Sequence, residues 1–161
     1  MKIFLKLKHW QMFLVWIFAS IQMQVFIKTD IWYISSIIYF VLIFGWIYSI
    51  GKILNKKNPE IVKKLNIWSI ICIISLFPFF INLHNIETEN YIEMNKMISI
   101  AAIIITIVSI VNIALISSKS LKQKEENKEL IFSNYKKEFF LILYMIVGIW
   151  ILQPKLNKIV E

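Results

Sequence analysis

Charged residues divide this chain into five apolar windows: His9–Ile27, Ile31–Gly51, Leu65–Ile86, Met97–Ser118 and Phe139–Pro154. The first four are 19 to 22 residues long and the last is 16. The second, IWYISSIIYFVLIFGWIYSIG, carries no charge between Asp30 and Lys52. An α-helix rises about 1.5 Å per residue, so about 20 residues cross a hydrocarbon core of about 30 Å. The pattern predicts an all-α, polytopic transmembrane bundle of five helices in one integral membrane domain, residues 1–161. Its spans fall at about 9–27, 31–51, 62–83, 97–117 and 135–153. The basic start and first apolar run resemble a signal peptide. The region around Ala19-Ser20-Ile21 lacks a clean cleavage pattern and the apolar run continues past it, so an uncleaved first span is expected.

Local signals refine this outline. The short stretch Lys28-Thr29-Asp30 joins spans one and two as an antiparallel hairpin. Gly45 and Ser49 form a small-x-x-x-small pair that lets another helix approach. Asn58-Pro59-Glu60 marks a helix start, with Asn as cap, Pro in the first turn and Glu at the positive end of the dipole. Pro78 removes one backbone bond and should kink that helix. Ser99, Ala102, Thr106 and Ser109 recur at spacings of three and four and predict a helix-packing seam. The Lys/Glu-rich connector 117–137 reads as a helical extension of span four into water, with Lys122 and Glu126 paired at i,i+4 and a break near Ile131–Asn134. The last helix then runs from Asn134 to Gln153. It carries Glu138 about one turn in, expected to face the bundle beside a lysine such as Lys137 or Lys128, because a bare carboxylate toward lipid is costly.

Charge orients the bundle. The net charge is +8, and every basic side chain is Lys; Arg is absent. The lysines sit in short loops between apolar windows, which argues against nucleic acid as a partner, and without Arg there is no bidentate phosphate clamp. The N-terminus and the second and fourth loops hold fourteen lysines; the alternate segments, including the tail, hold four. The positive-inside rule then places the N-terminus in the cytoplasm, and a five-span chain places the C-terminus outside. The rival is a re-entrant or surface-lying last segment, with the tail in the cytoplasm. Trp10, Trp32, Tyr33, Trp46, Tyr48, Tyr91, Tyr135 and Trp150 lie near window ends, where amphipathic rings favour the membrane interface.

Candidate chemistry is sparse. His9 and His84 are predicted on opposite faces, so they cannot share a metal, and no glycine-rich phosphate loop occurs. No cofactor and no metal are expected. Cys72 stands alone within a span and reads as a packing residue. The deepest strong hydrogen-bonding side chains are Gln22, Gln24 and Asn112, read first as interhelical bonds and second as a permeation path. With Glu138 they complete the candidate polar set. The expected function is non-enzymatic: a membrane protein acting through contacts with the lipid bilayer, with anionic head groups at its cytoplasmic face, or with protein, as a homo-oligomer or with another membrane protein. The alternative is a subunit of a small oligomeric transporter or channel.

Four segments carry a resemblance: KLKHWQ (6–11), FGWIYSIG (44–51) with its following lysines, FSNYKKEFFLIL (132–143) and GIWILQPKLNK (148–158). They resemble a group of small polytopic membrane proteins of flavobacteria and their relatives. That group has a proline just before the Gly-x-Trp, where this chain has Ile146-Val147 before Gly148. The resemblance implies a topology and a bacterial inner membrane, and no function.

Overall fold

A computed structural model describes residues 5–26, 32–87, 93–126 and 130–160. Among them lie six principal helices: α1 (His9–Phe26), α2 (Trp32–Leu54), α3 (Pro59–Glu87), α4 (Glu93–Glu126), α5 (Phe132–Leu143) and α6 (Met145–Val160). The described residues are all-helical, without a strand, as the windows predict. Three stretches are long and apolar enough to cross a membrane: Ile34–Leu54, Pro59–Pro78 and Met97–Glu126. Helices α5 and α6 qualify only as a joined pair, which is bent by 117°. Length and composition therefore support three to four spans among the described residues. The first expected span, 9–27, extends past the described residues, which end there at Phe26. Gln11, Gln22 and Gln24 interrupt the apolar run of α1.

Helix α4 is the centre of the bundle and packs against α2, α3 and α5. Helix α1 lies along α2, and α6 returns to pack on α1 and α5. The most buried side chains, among them Leu5, Trp46, Ile50, Leu121, Leu152 and Leu156, gather where α2 and α6 end. Away from that end, Ile37, Val41, Ile73, Phe77, Ile103 and Ile104 are exposed. In water such faces would be a liability. Against hydrocarbon they are the ordinary outer surface of a bundle.

Several local expectations meet the structure directly. Helix α3 begins at Pro59, and the Asn58 side-chain oxygen accepts from the Ile61 N–H at 3.3 Å. Pro78 does not end this helix, which continues to Glu87. The α4 seam packs against α3: Ala102, Thr106 and Ser109 are buried, Ser99 is half-buried, and the Ser75 and Thr106 hydroxyls bond at 2.7 Å. The Gly45–Ser49 pair behaves differently. Ser49 is fully buried, but Gly45 lines an open groove. The close helix approach occurs two residues past Ser49, where a Cβ on Gly51 would lie 2.6 Å from Ser117 Oγ.

The largest departure is at the C-terminal end. The single helix expected over 134–153 is two helices. Asn134 closes the first turn of α5, its side-chain oxygen accepting from Ile131 N–H at 3.3 Å. At Tyr144 the backbone leaves the helical region (φ −83°, ψ 65°), and the chain turns into α6. Gly148 makes the turn possible, because a Cβ there would fall 1.8 Å from the Leu141 carbonyl oxygen. That oxygen belongs to the backbone and cannot be moved aside as a side chain could. The sixteen charge-free residues that look like one short span are the two arms of a sharp bend.

Candidate functional site

The bend carries α6 back to the chain's N-terminal segment, where a buried polar layer forms. Gln153 is fully buried. Its Oε1 accepts from Trp46 Nε1 at 2.9 Å. Its Nε2 donates to the Leu7 carbonyl at 2.8 Å and to Asn157 Oδ1 at 3.2 Å. One amide thus joins α2, α6 and the segment before α1. Trp46, expected in the aromatic belt, is instead wholly buried, and its indole N–H is spent on this bond. Gln153 was visible in the sequence only as the polar end of a window. The one available signal was a strong hydrogen-bonding residue directly before Pro154, with Asn157 a turn later.

Two further bonds stitch the same end. Asn55 Nδ2 donates to Ser120 Oγ at 2.6 Å, and Ser117 Oγ donates to the Ile47 carbonyl at 3.1 Å, both between the α2 end and α4. Beside them lies an ionic cluster. Lys122 is 2.8 Å from Glu126, as its spacing predicts, 3.4 Å from Glu125 and 3.9 Å from Glu138. Lys155 of α6 meets Glu125 at 2.9 Å. Glu138 is buried and turned inward, and the lysine it faces is Lys122, not Lys137. Lys128 lies outside the described residues. The second Glu138 oxygen makes no hydrogen bond among the described residues.

The other candidates do not converge. Gln24 is exposed and Gln22 half-buried on α1, while Asn112 Nδ2 donates to Val108 O of its own helix at 2.8 Å. Among the described residues no hydrogen bond joins these three. Cys72 is buried. The side chains of His84, Glu87 and Glu93, and the whole of Glu89, lie outside the described part. Among the described residues no group of three His, Cys, Asp or Glu is placed to hold a metal.

One groove stands out. It has a volume of about 630 Å³ and runs between α2 and α3. Ile37, Phe40, Val41 and Phe44 form one wall, and Ile70, Ile73, Leu76 and Phe77 the other. At one end the helices meet, where Leu65 packs close to Gly51 and Tyr48 OH donates to Asn66 Oδ1 at 2.6 Å. Lys52 Nζ lies 5.2 Å above the Tyr48 ring, a cation–π contact at the same end. Comparison with protein-family models, curated proteins and solved structures finds no match to this chain.

Proposed function

We propose that the chain is an integral protein of a bacterial inner membrane that works through contact with lipid and protein and not by catalysis. The observation that carries this reading is how its interior polar groups are used. Gln153, Asn55, Ser117, Ser75 and Thr106 each bond one helix to another. Such groups fix a scaffold, and what the scaffold presents outward is apolar faces, a lateral groove and a lysine-rich end. The transporter alternative needs a polar line through the bundle, and Asn112, bonded within its own helix, supplies none.

We also propose that α5 and α6 form a re-entrant hairpin, with both chain ends at the cytoplasmic face. The Gln153–Leu7 bond and the Lys155–Glu125 pair support this. With the tail on that side, sixteen of the eighteen lysines share one face, which satisfies the positive-inside rule better than a fifth span does. Two experiments test the reading. In a Cys72→Ser background, Lys158→Cys should react with an impermeant thiol reagent only after the membrane is opened; labelling in intact cells would overturn the hairpin. Photo-crosslinkers placed at Ile103 and Ile74 in the living membrane should give defined lipid or protein adducts. Reaction with water alone would overturn the contact function.

A further inference from the structure

We propose that the groove between α2 and α3 binds one anionic phospholipid, with an acyl chain along the apolar walls and the phosphate at the Tyr48–Asn66 end. This rests on the contact reading above and names the ligand.

Three observations carry it. The first is length. Ile37 to Tyr48 and Asn66 to Phe77 are each twelve residues, a rise of roughly 16 Å, which is about half the hydrocarbon thickness of a bilayer. The groove therefore matches the depth of one leaflet, the one that meets the lysine-rich face. The second is polarity. The walls are aliphatic and aromatic, and the strong hydrogen-bonding groups lie at one end. The Tyr48 hydroxyl uses Asn66 Oδ1, while the Asn66 Nδ2 makes no hydrogen bond among the described residues and is left to donate to an ester or phosphate oxygen.

The third is charge. Lys52 follows Tyr48 by one turn on the groove-lining face of α2. Lys63 precedes Asn66 by three residues and Ile70 by seven, which places it on the groove-lining face of α3. Both lysines thus continue the lining faces one turn beyond the Tyr48–Asn66 end, and no acidic residue lines the groove itself. A zwitterionic head group would leave their charge unanswered; a phosphatidylglycerol-like head group complements it.

The test uses the purified full-length chain and native mass spectrometry, with phosphatidylglycerol and phosphatidylcholine of identical chains as probes. The wild type should retain one phosphatidylglycerol in preference to phosphatidylcholine. Lys52→Gln and Lys63→Gln should each weaken phosphatidylglycerol about fivefold, the factor expected for a lysine near an anionic head group, and leave phosphatidylcholine unchanged. The pair Lys119→Gln with Lys136→Gln, both exposed and away from the groove, removes as much charge as Lys52→Gln and Lys63→Gln combined in one chain, and unlike that pair should keep the preference. Ile73→Trp, which fills the groove from an exposed position, should weaken both lipids, with helical content checked by circular dichroism. Equal retention of the two lipids by the wild type would overturn the proposal. So would an identical effect of both lysine pairs, which would mean diffuse charge attraction and no site. A third overturning result is stoichiometric disulfide cross-linking of Ile73→Cys in a Cys72→Ser background, which would make the groove an interface with a second copy. Labelling at Lys158→Cys reports on the hairpin separately, so the topology can stand while the lipid site fails.

Discussion

Trp46 and Gln153 are 107 residues apart in sequence, and a 2.9 Å hydrogen bond joins their side chains in the interior of the bundle. Both are wholly shielded, so neither can exchange this partner for water. Replacing Gln153 with Leu strands the buried Trp46 N–H, while the Leu7 carbonyl keeps a donor in Asn157 Nδ2 at 3.3 Å. Each orphaned buried group costs about 1–3 kcal/mol, more than the roughly 0.6 kcal/mol average of an interhelical bond in a membrane protein. Gln153→Leu should therefore cost about 1–3 kcal/mol in reversible unfolding from mixed micelles. Trp46→Phe should cost less in the Gln153→Leu background than alone, and a double-mutant cycle with no coupling would contradict the bond.

The two crowded glycines should respond differently to alanine. At Gly148 the new methyl meets a backbone carbonyl, so Gly148→Ala must open the α5–α6 turn. A severe loss of folded protein is expected, with no rescue by trimming neighbouring side chains. At Gly51 the methyl meets a serine hydroxyl and the tips of Leu65. Overpacking of this kind costs about 1–3 kcal/mol. Gly51→Ala should recover part of that loss when Ser117 is also made Ala, and fluorescence-detected size exclusion with thermal challenge separates the two cases.

The α4 seam makes a third prediction. Ala102 and Ser109 are buried, so Ala102→Leu or Ser109→Leu should each cost about 1–3 kcal/mol by wedging helices apart. Ile103→Leu and Ile104→Leu, on the exposed side of the same helix, should be nearly neutral. Equal thermal stability in all four variants would show that the seam does not pack as described.

The buried carboxylate makes a fourth. Among the described residues Lys122 is the lysine paired with Glu138, at 3.9 Å, and the other Glu138 oxygen lacks a described partner. Removing the lysine leaves an uncompensated buried charge, so Lys122→Gln should destabilise by about 1–3 kcal/mol. Glu138→Gln removes the charge itself and should be close to neutral. The double variant should then be more stable than Lys122→Gln alone; chemical denaturation of the three proteins tests that order.

What was legible in the sequence is what one helix determines by itself. Charge-free runs of sufficient length marked α2, α3 and α4. Asn58-Pro59 marked the α3 start, and the three-and-four spacing of Ala102, Thr106 and Ser109 marked a buried face. Helical periodicity and capping are local, so a single segment contains the information. Burial of Glu138 was legible for a related reason: a carboxylate among phenylalanines has few tolerable surroundings. Its partner was not, because several lysines lay within reach along the chain and only packing of α4 on α5 selected Lys122. The bend at Tyr144 escaped for the same cause. Residues 139–154 are apolar enough to be read as one span, and the Gly148–Leu141 contact that permits the turn exists only once the two helices meet. The roles of Gln153 and Trp46 depend on parts of the chain 107 residues apart. No periodicity encodes such a distance. The tertiary structure decides it, because a buried amide must find its hydrogen-bond partners wherever the packed helices bring them.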